Sequence, residues 1–134
     1  MTTYARGAFE VTMTPQAPDE TAGDASVGRM SLAKRFHGDP DATSQGQMLA
    51  VRTAVEGSAG YVAMERVSGT LHERSGSFAL QHNGTMVRGN PQLTVIVVPD
   101  SGADELTGLT GAMTIDIVDG EHRYKFAYTL PDIS

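Results

Sequence analysis

Eight segments of this chain alternate apolar and polar residues, and no stretch of ten or more residues repeats its apolar positions with a helical period. A period of two turns one face of an extended strand toward a core and the other toward water. The segments fall at 4–14, 28–37, 43–53, 60–71, 76–84, 92–98, 111–118 and 121–130. Eight short strands with hairpin links make either a sandwich or a closed barrel. The barrel is expected, because closure removes strand edges and eight strands leave an interior just wide enough for side chains or one small ligand. The predicted class is all-β: a closed, mostly antiparallel eight-stranded barrel with little helix.

The connections give the next constraint. Asp119-Gly120 separates two alternating runs, and such a pair takes the positive φ angles of a two-residue hairpin. "HERSG" (72–76) predicts a longer hairpin loop, and Asn90-Pro91 a further turn. The stretch 15–27 is acidic, contains prolines and has no period, so a long surface loop is expected there. The other long connection, 99–111, is expected to carry one helical turn at "ADEL". "LHERSGSFAL" (71–80) and "LTGLTGAMTI" (106–115) echo each other and suggest two similar strand entries. The length of 134 residues fits one domain, 1–134, able to bury a core without disulfides or metals.

Charge and composition exclude several functions. The net charge is −6 and no basic stripe is visible, which argues against nucleic acid and against an anionic membrane surface. No apolar run approaches the ~20 residues of a membrane span. The expected partner is therefore a small apolar molecule or another copy of the chain. There is no cysteine, hence no disulfide, thiol nucleophile or thiolate metal site. With no signal-peptide pattern at the start, a cytoplasmic location is expected, and the Asn83-Gly84-Thr85 sequon is read as chance. Phosphate-binding glycine loops and a nucleophile elbow are absent. His37, Asp39 and Asp41 alternate as metal ligands can, but Gly38 and Pro40 make the segment a turn, so no metal is expected. Asp100, Asp104 and Glu105 lack the spacing of a calcium loop. His72 and His122 fall near strand ends, where a solvated ring is the ordinary case.

The candidate site follows from the alternation. Met30, Leu32, Lys34 and Phe36 share one face; Tyr61, Ala63, Glu65 and Val67 share another. So do Phe78, Leu80 and His82, and so do Tyr124, Phe126, Tyr128 and Leu130. If the apolar faces point inward, Lys34, Glu65 and His82 go with them. A charge taken out of water must pair or neutralise, and Lys34 with Glu65 is the expected pair. It is either a structural salt bridge or an acid–base centre whose burial and charged neighbours shift its pKa. The run "LTVIVV" (93–98) is apolar on both faces, so a loop or a second subunit is expected to cover its outer side, and a homo-oligomer is favoured.

The blocks "GRMSLAKRFHGD", "GSAGYVAMERVSGTLHERSGSFALQHNGTM", "PQLTVIVVPDSG" and "ELTGLTGAMTIDI", with "YTL" after Gly120, His122, Tyr124 and Phe126, closely resemble a bacterial family, domain-of-unknown-function family 3224. The resemblance runs from Ala5 to Leu130. It implies a barrel similar to allene oxide cyclases, which bind a fatty-acid epoxide in an apolar barrel and cyclise it.

Three functions fit these readings. The first is a cofactor-independent isomerase, lyase or cyclase. In it Glu65 transfers a proton, Lys34 tunes Glu65 or stabilises developing negative charge, and His82 or Tyr128 orients the substrate. Tyr61, Phe78, Tyr124, Phe126, Tyr128 and Phe36 would line the ligand. The second is a non-catalytic barrel that binds a small apolar ligand. The third is a structural oligomer whose interior is filled by its own side chains, with seven methionines to fill gaps.

Overall fold

In the computed structural model, residues 2–15 and 27–131 are described; all but the two ends of the predicted acidic loop lies outside them. Nine strands form: β1 (Thr3–Pro15), β2 (Val27–Gly38), β3 (Asp41–Arg52), β4 (Ala59–Leu71), β5 (Arg74–Val87), β6 (Asn90–Val97), β7 (Ala103–Asp104), β8 (Thr110–Val118) and β9 (Glu121–Thr129). Hydrogen bonding runs in the order β4-β3-β2-β1-β9-β8-β6-β5, and β5 pairs back onto β4, which closes an eight-stranded ring. Every pairing is antiparallel. The two-residue β7 pairs with β5 alone. No helix occurs among the described residues.

All eight predicted strands are present, but three connections differ from expectation. "HERSG" is not a long loop: Leu71 pairs directly with Arg74, and His72 and Glu73 make a two-residue turn with φ of 45° and 69°. The turn expected at Asn90-Pro91 sits two residues earlier, at Arg88 and Gly89 with φ of 47° and 89°, and Asn90 already pairs with Val87. "ADEL" is not helical. Ala103 and Asp104 bond to β5 as β7, and Asp104 has φ of 57°, which an α-helical residue cannot take. Asp119-Gly120 is the hairpin expected, with φ of 52° and 80°.

The ring has two unlike ends. At one, the connection from β6 to β8 folds under the barrel and buries Leu106 and Leu109 among Ala5, Leu71 and Val97. Ser101 Oγ accepts from the Ala79 amide at 3.0 Å and Glu105 Oε1 from the Ser75 amide at 3.1 Å, which fastens this plug to β5. The sequence echo now has a structural counterpart. Leu71 and Leu106 both close this end, and the strands that follow send Phe78 with Leu80, and Met113 with Ile115, along the inner face. Above the plug the aromatic rings fill the interior. Phe78 stacks on Phe126 at 5.8 Å, Phe126 on Tyr128 at 5.3 Å, and Phe36 meets Tyr124 edge-on at 5.5 Å.

At the other end the strands run past the packed core. Met13, Met86, Leu93 and Ile117 occupy inward positions by alternation, yet they are 50%, 41%, 40% and 67% exposed. Among the described residues nothing plugs this end, and these inward side chains are apolar.

Candidate functional site

Between the aromatic floor and the open end, four polar side chains meet. Lys34 comes from β2, Ser44 from β3, Glu65 from β4 and His82 from β5, and all four are buried. Glu65 Oε1 accepts from Lys34 Nζ at 3.1 Å and from His82 Nε2 at 2.8 Å. Its Oε2 accepts from Ser44 Oγ at 2.7 Å. The Lys34 ammonium also lies over the Phe9 ring at 4.9 Å and the Phe36 ring at 5.9 Å, where aromatic faces stabilise a cation. Among the described residues, no buried side-chain nitrogen or oxygen lacks a hydrogen-bond partner.

Register explains how side chains from four strands reach one point. Lys34 stands directly opposite Ser44, and Glu65 directly opposite Gly46. A Cβ at position 46 would lie 2.1 Å from the Met64 carbonyl oxygen and 2.7 Å from Glu65 Cα. The missing side chain lets β3 and β4 approach closely, and the Glu65 carboxylate extends past it to Ser44 and Lys34. Gly46→Ala is expected to cost about 1–3 kcal/mol through overpacking, read as a lower urea midpoint with an unchanged slope.

The electrostatics fix the state of the carboxylate. Burial alone would push the Glu65 pKa up. The hydrogen bond from His82, the Lys34 charge, the charge interaction with His82 and the Ser44 hydroxyl together outweigh burial and hold it at about 2. Glu65 is thus an anion at neutral pH. A carboxylate this acidic is a weak base and has no proton to give, which favours a positioning role for it over proton transfer.

Tyr61 is the predicted ligand contact nearest the open end. Its ring lies over Gly84 of β5, where a Cβ would come within 2.3 Å of the ring. Burial, and then the Glu65 charge, raise the pKa of its phenol. Phe36, Phe78 and Phe126 lie deeper, fully buried against other side chains. The Tyr124 hydroxyl is engaged by the backbone, donating to the His37 carbonyl at 3.0 Å and the Pro40 carbonyl at 3.1 Å. Burial, with Asp39 and Asp41 beside it, drives its pKa up.

The Tyr128 hydroxyl bonds to Nδ1 of His72, whose Nε2 lies 3.5 Å from Asp39. His72, expected to be simply solvated, ties the β4–β5 turn to β9 and to the β2–β3 turn. The other side chains of "HGDPD" also have separate partners: His37 pairs with Glu10 at 3.1 Å and Asp41 with Arg35 at 2.5 Å. His122 packs its ring on Phe9 at 5.1 Å.

The strand faces therefore bring Lys34, Glu65 and His82 together, while five of the six aromatic candidates form the floor beneath them. Sequence reasoning missed Ser44. The available signal was its place on one β3 face with Ala42, Gly46 and Met48. Two open grooves of about 460 and 390 Å³ lie along β1–β3 and β2–β4; Leu32 and Gly46 contribute to the first and Lys34 and Ser44 to the second, and neither includes Met13, Met86, Leu93 or Ile117.

The class of protein is an antiparallel β-barrel, its eight strands hydrogen-bonded into a ring, with apolar inward side chains exposed at one end above a buried, hydrogen-bonded ion pair. The chain belongs to the DUF3224 family, described as a protein of unknown function, whose model matches residues 5–128. It is similar to the crystal structure of a protein of unknown function from the same family of Shewanella oneidensis MR-1. The two are 49% identical with a TM-score of 0.91, over 99% of this chain and 100% of the other. No curated protein matches the chain.

Proposed function

We propose that the barrel binds a small, uncharged, largely apolar molecule at its open end. The observation that carries this reading is the exposure of inward-facing Met13, Met86, Leu93 and Ile117 directly above a polar centre. Apolar side chains left facing water inside a concave end have a ready use in covering a ligand's hydrocarbon. Methionines suit a ligand of irregular shape. The polar end of the ligand would point down toward Tyr61 and His82. A carboxylate there would face the ionised Glu65, so a hydroxyl or carbonyl group fits better.

The test is titration with the neutral probe N-phenyl-1-naphthylamine. Saturable fluorescence enhancement, displaced by 1-decanol more readily than by decanoate, is expected. Leu93→Glu and Ile117→Glu should weaken binding roughly tenfold or more, since each puts a charge into the apolar contact. Probe binding that is unsaturable, or equal in both variants, would sink the proposal.

A second reading is supported by the bond between His82 and Glu65. An ionised carboxylate holding Nε2–H orients the ring, and His82 could then move a proton on the bound molecule in an isomerisation or cyclisation without a cofactor. Under this reading His82→Asn keeps probe binding and loses any exchange of ligand protons with deuterated solvent.

A further inference from the structure

We propose that the outer wall of β3, β4, β5 and β6 is the two-fold interface of a homodimer. The wall is apolar at its centre. Leu49, Val62, Met64 and Ile96 point outward and are 46%, 51%, 51% and 37% exposed. The register joins them across four strands. Leu49 stands opposite Val62, Gln47 opposite Met64, Met64 opposite Gln81, and Gln81 opposite Ile96. Isolated exposed apolar residues are ordinary, but a continuous stripe marks a surface that another surface covers.

Charge identifies the occupant as a second copy. The chain carries 16 acidic residues and a net charge of −6. None of its charged residues occupies an outward position from Gln45 to Val51, from Gly60 to Met64, from Ala79 to Thr85 or from Gln92 to Ile96. Arg66, one outward step from Met64 toward the closed end, marks the rim. The wall formed by β9, β1 and β2 is the opposite case, with Arg6, Glu10, Arg35, Arg123 and Lys125 all outward. Two copies of an acidic protein repel except where they present a surface free of charge. At a two-fold axis each residue meets its own copy, which a like charge opposes. Apolar Val62 and Met64 can pack on themselves. Gln47, Gln81 and Asn83 both donate and accept, so they can pair with their own images. This wall includes the outer face of "LTVIVV" and centres the contact on β4 rather than β6. The proposal does not depend on what the open end binds.

Sedimentation velocity at micromolar concentration tests it. The wild-type chain is expected at twice its 14.2 kDa mass. Met64→Glu and Val62→Glu should each sediment as single chains with unchanged circular dichroism. Lys125→Glu, on the charged wall, should remain dimeric. A wild-type mass of one chain, or of three or more, would overturn the proposal, as would dimers persisting in both wall variants. Should Met64→Glu fail to fold, Met64→Cys decides in its place, because the chain has no cysteine of its own. Oxidation should then give a covalent dimer, and a product that stays monomeric would count against the interface.

Discussion

Glu65→Gln is expected to lower the melting temperature by roughly 10–20 °C, the equivalent of about 3–5 kcal/mol for a chain of this size. The amide has almost the same shape as the carboxylate, so little packing is lost. What is lost is the counter-charge of Lys34, whose side chain is only 7% exposed. Glutamine also places an NH₂ donor where the carboxylate accepts from either Ser44 or from Lys34 and His82, so one donor faces another. Urea unfolding of wild type, Glu65→Gln, Lys34→Met and the Lys34→Met/Glu65→Leu pair would separate the causes. The double variant should be less destabilised than the sum of the single changes, because removing both charges leaves no uncompensated ion. If Glu65→Gln is as stable as wild type, the ion pair does not hold the fold together. The chain would then retain a costly carboxylate for binding or chemistry.

The same residues show how far the sequence reaches. Alternation places Lys34, Glu65 and His82 on inner faces because parity along a strand is a local property. The meeting of the three depends on register and closure, which no single segment encodes. Gly46 is the clearest case. It reads as a weak point in a strand, yet it is the gap that brings β3 against β4 beneath Glu65. Its role appears only once Gly46 is known to stand opposite Glu65. The His72-Glu73 turn is invisible for a related reason. Positive φ at two residues without glycine has no local signature, and here the turn is held from a distance by Tyr128 and Asp39. Asp119-Gly120 carries its own instruction and was legible. Aromatic residues on inner faces were legible as interior, but not as floor or mouth. That distinction rests on Leu106 and Leu109, whose connection folds back to plug one end.

Acid should unfold the protein partly through Glu65. The folded-state pKa of about 2 lies below the ordinary value of 4.5, which the unfolded chain restores. As pH falls, the unfolded state therefore binds the proton first. The stabilisation is complete above about pH 4.5 and is lost progressively as pH drops to about 2. The gap corresponds to about 3 kcal/mol, the same order as the cost expected for Glu65→Gln. The agreement is physical rather than accidental: protonation and amide substitution both remove the one negative charge that faces Lys34. Urea midpoints measured across this window should fall steeply for wild type and less steeply for Glu65→Gln, with the two curves converging near pH 2. Subtracting one curve from the other removes the contribution of the exposed carboxylates, which titrate alike in both proteins. Parallel curves would mean that the folded and unfolded chains bind the Glu65 proton alike across this window, and that the carboxylate is not held below its ordinary range.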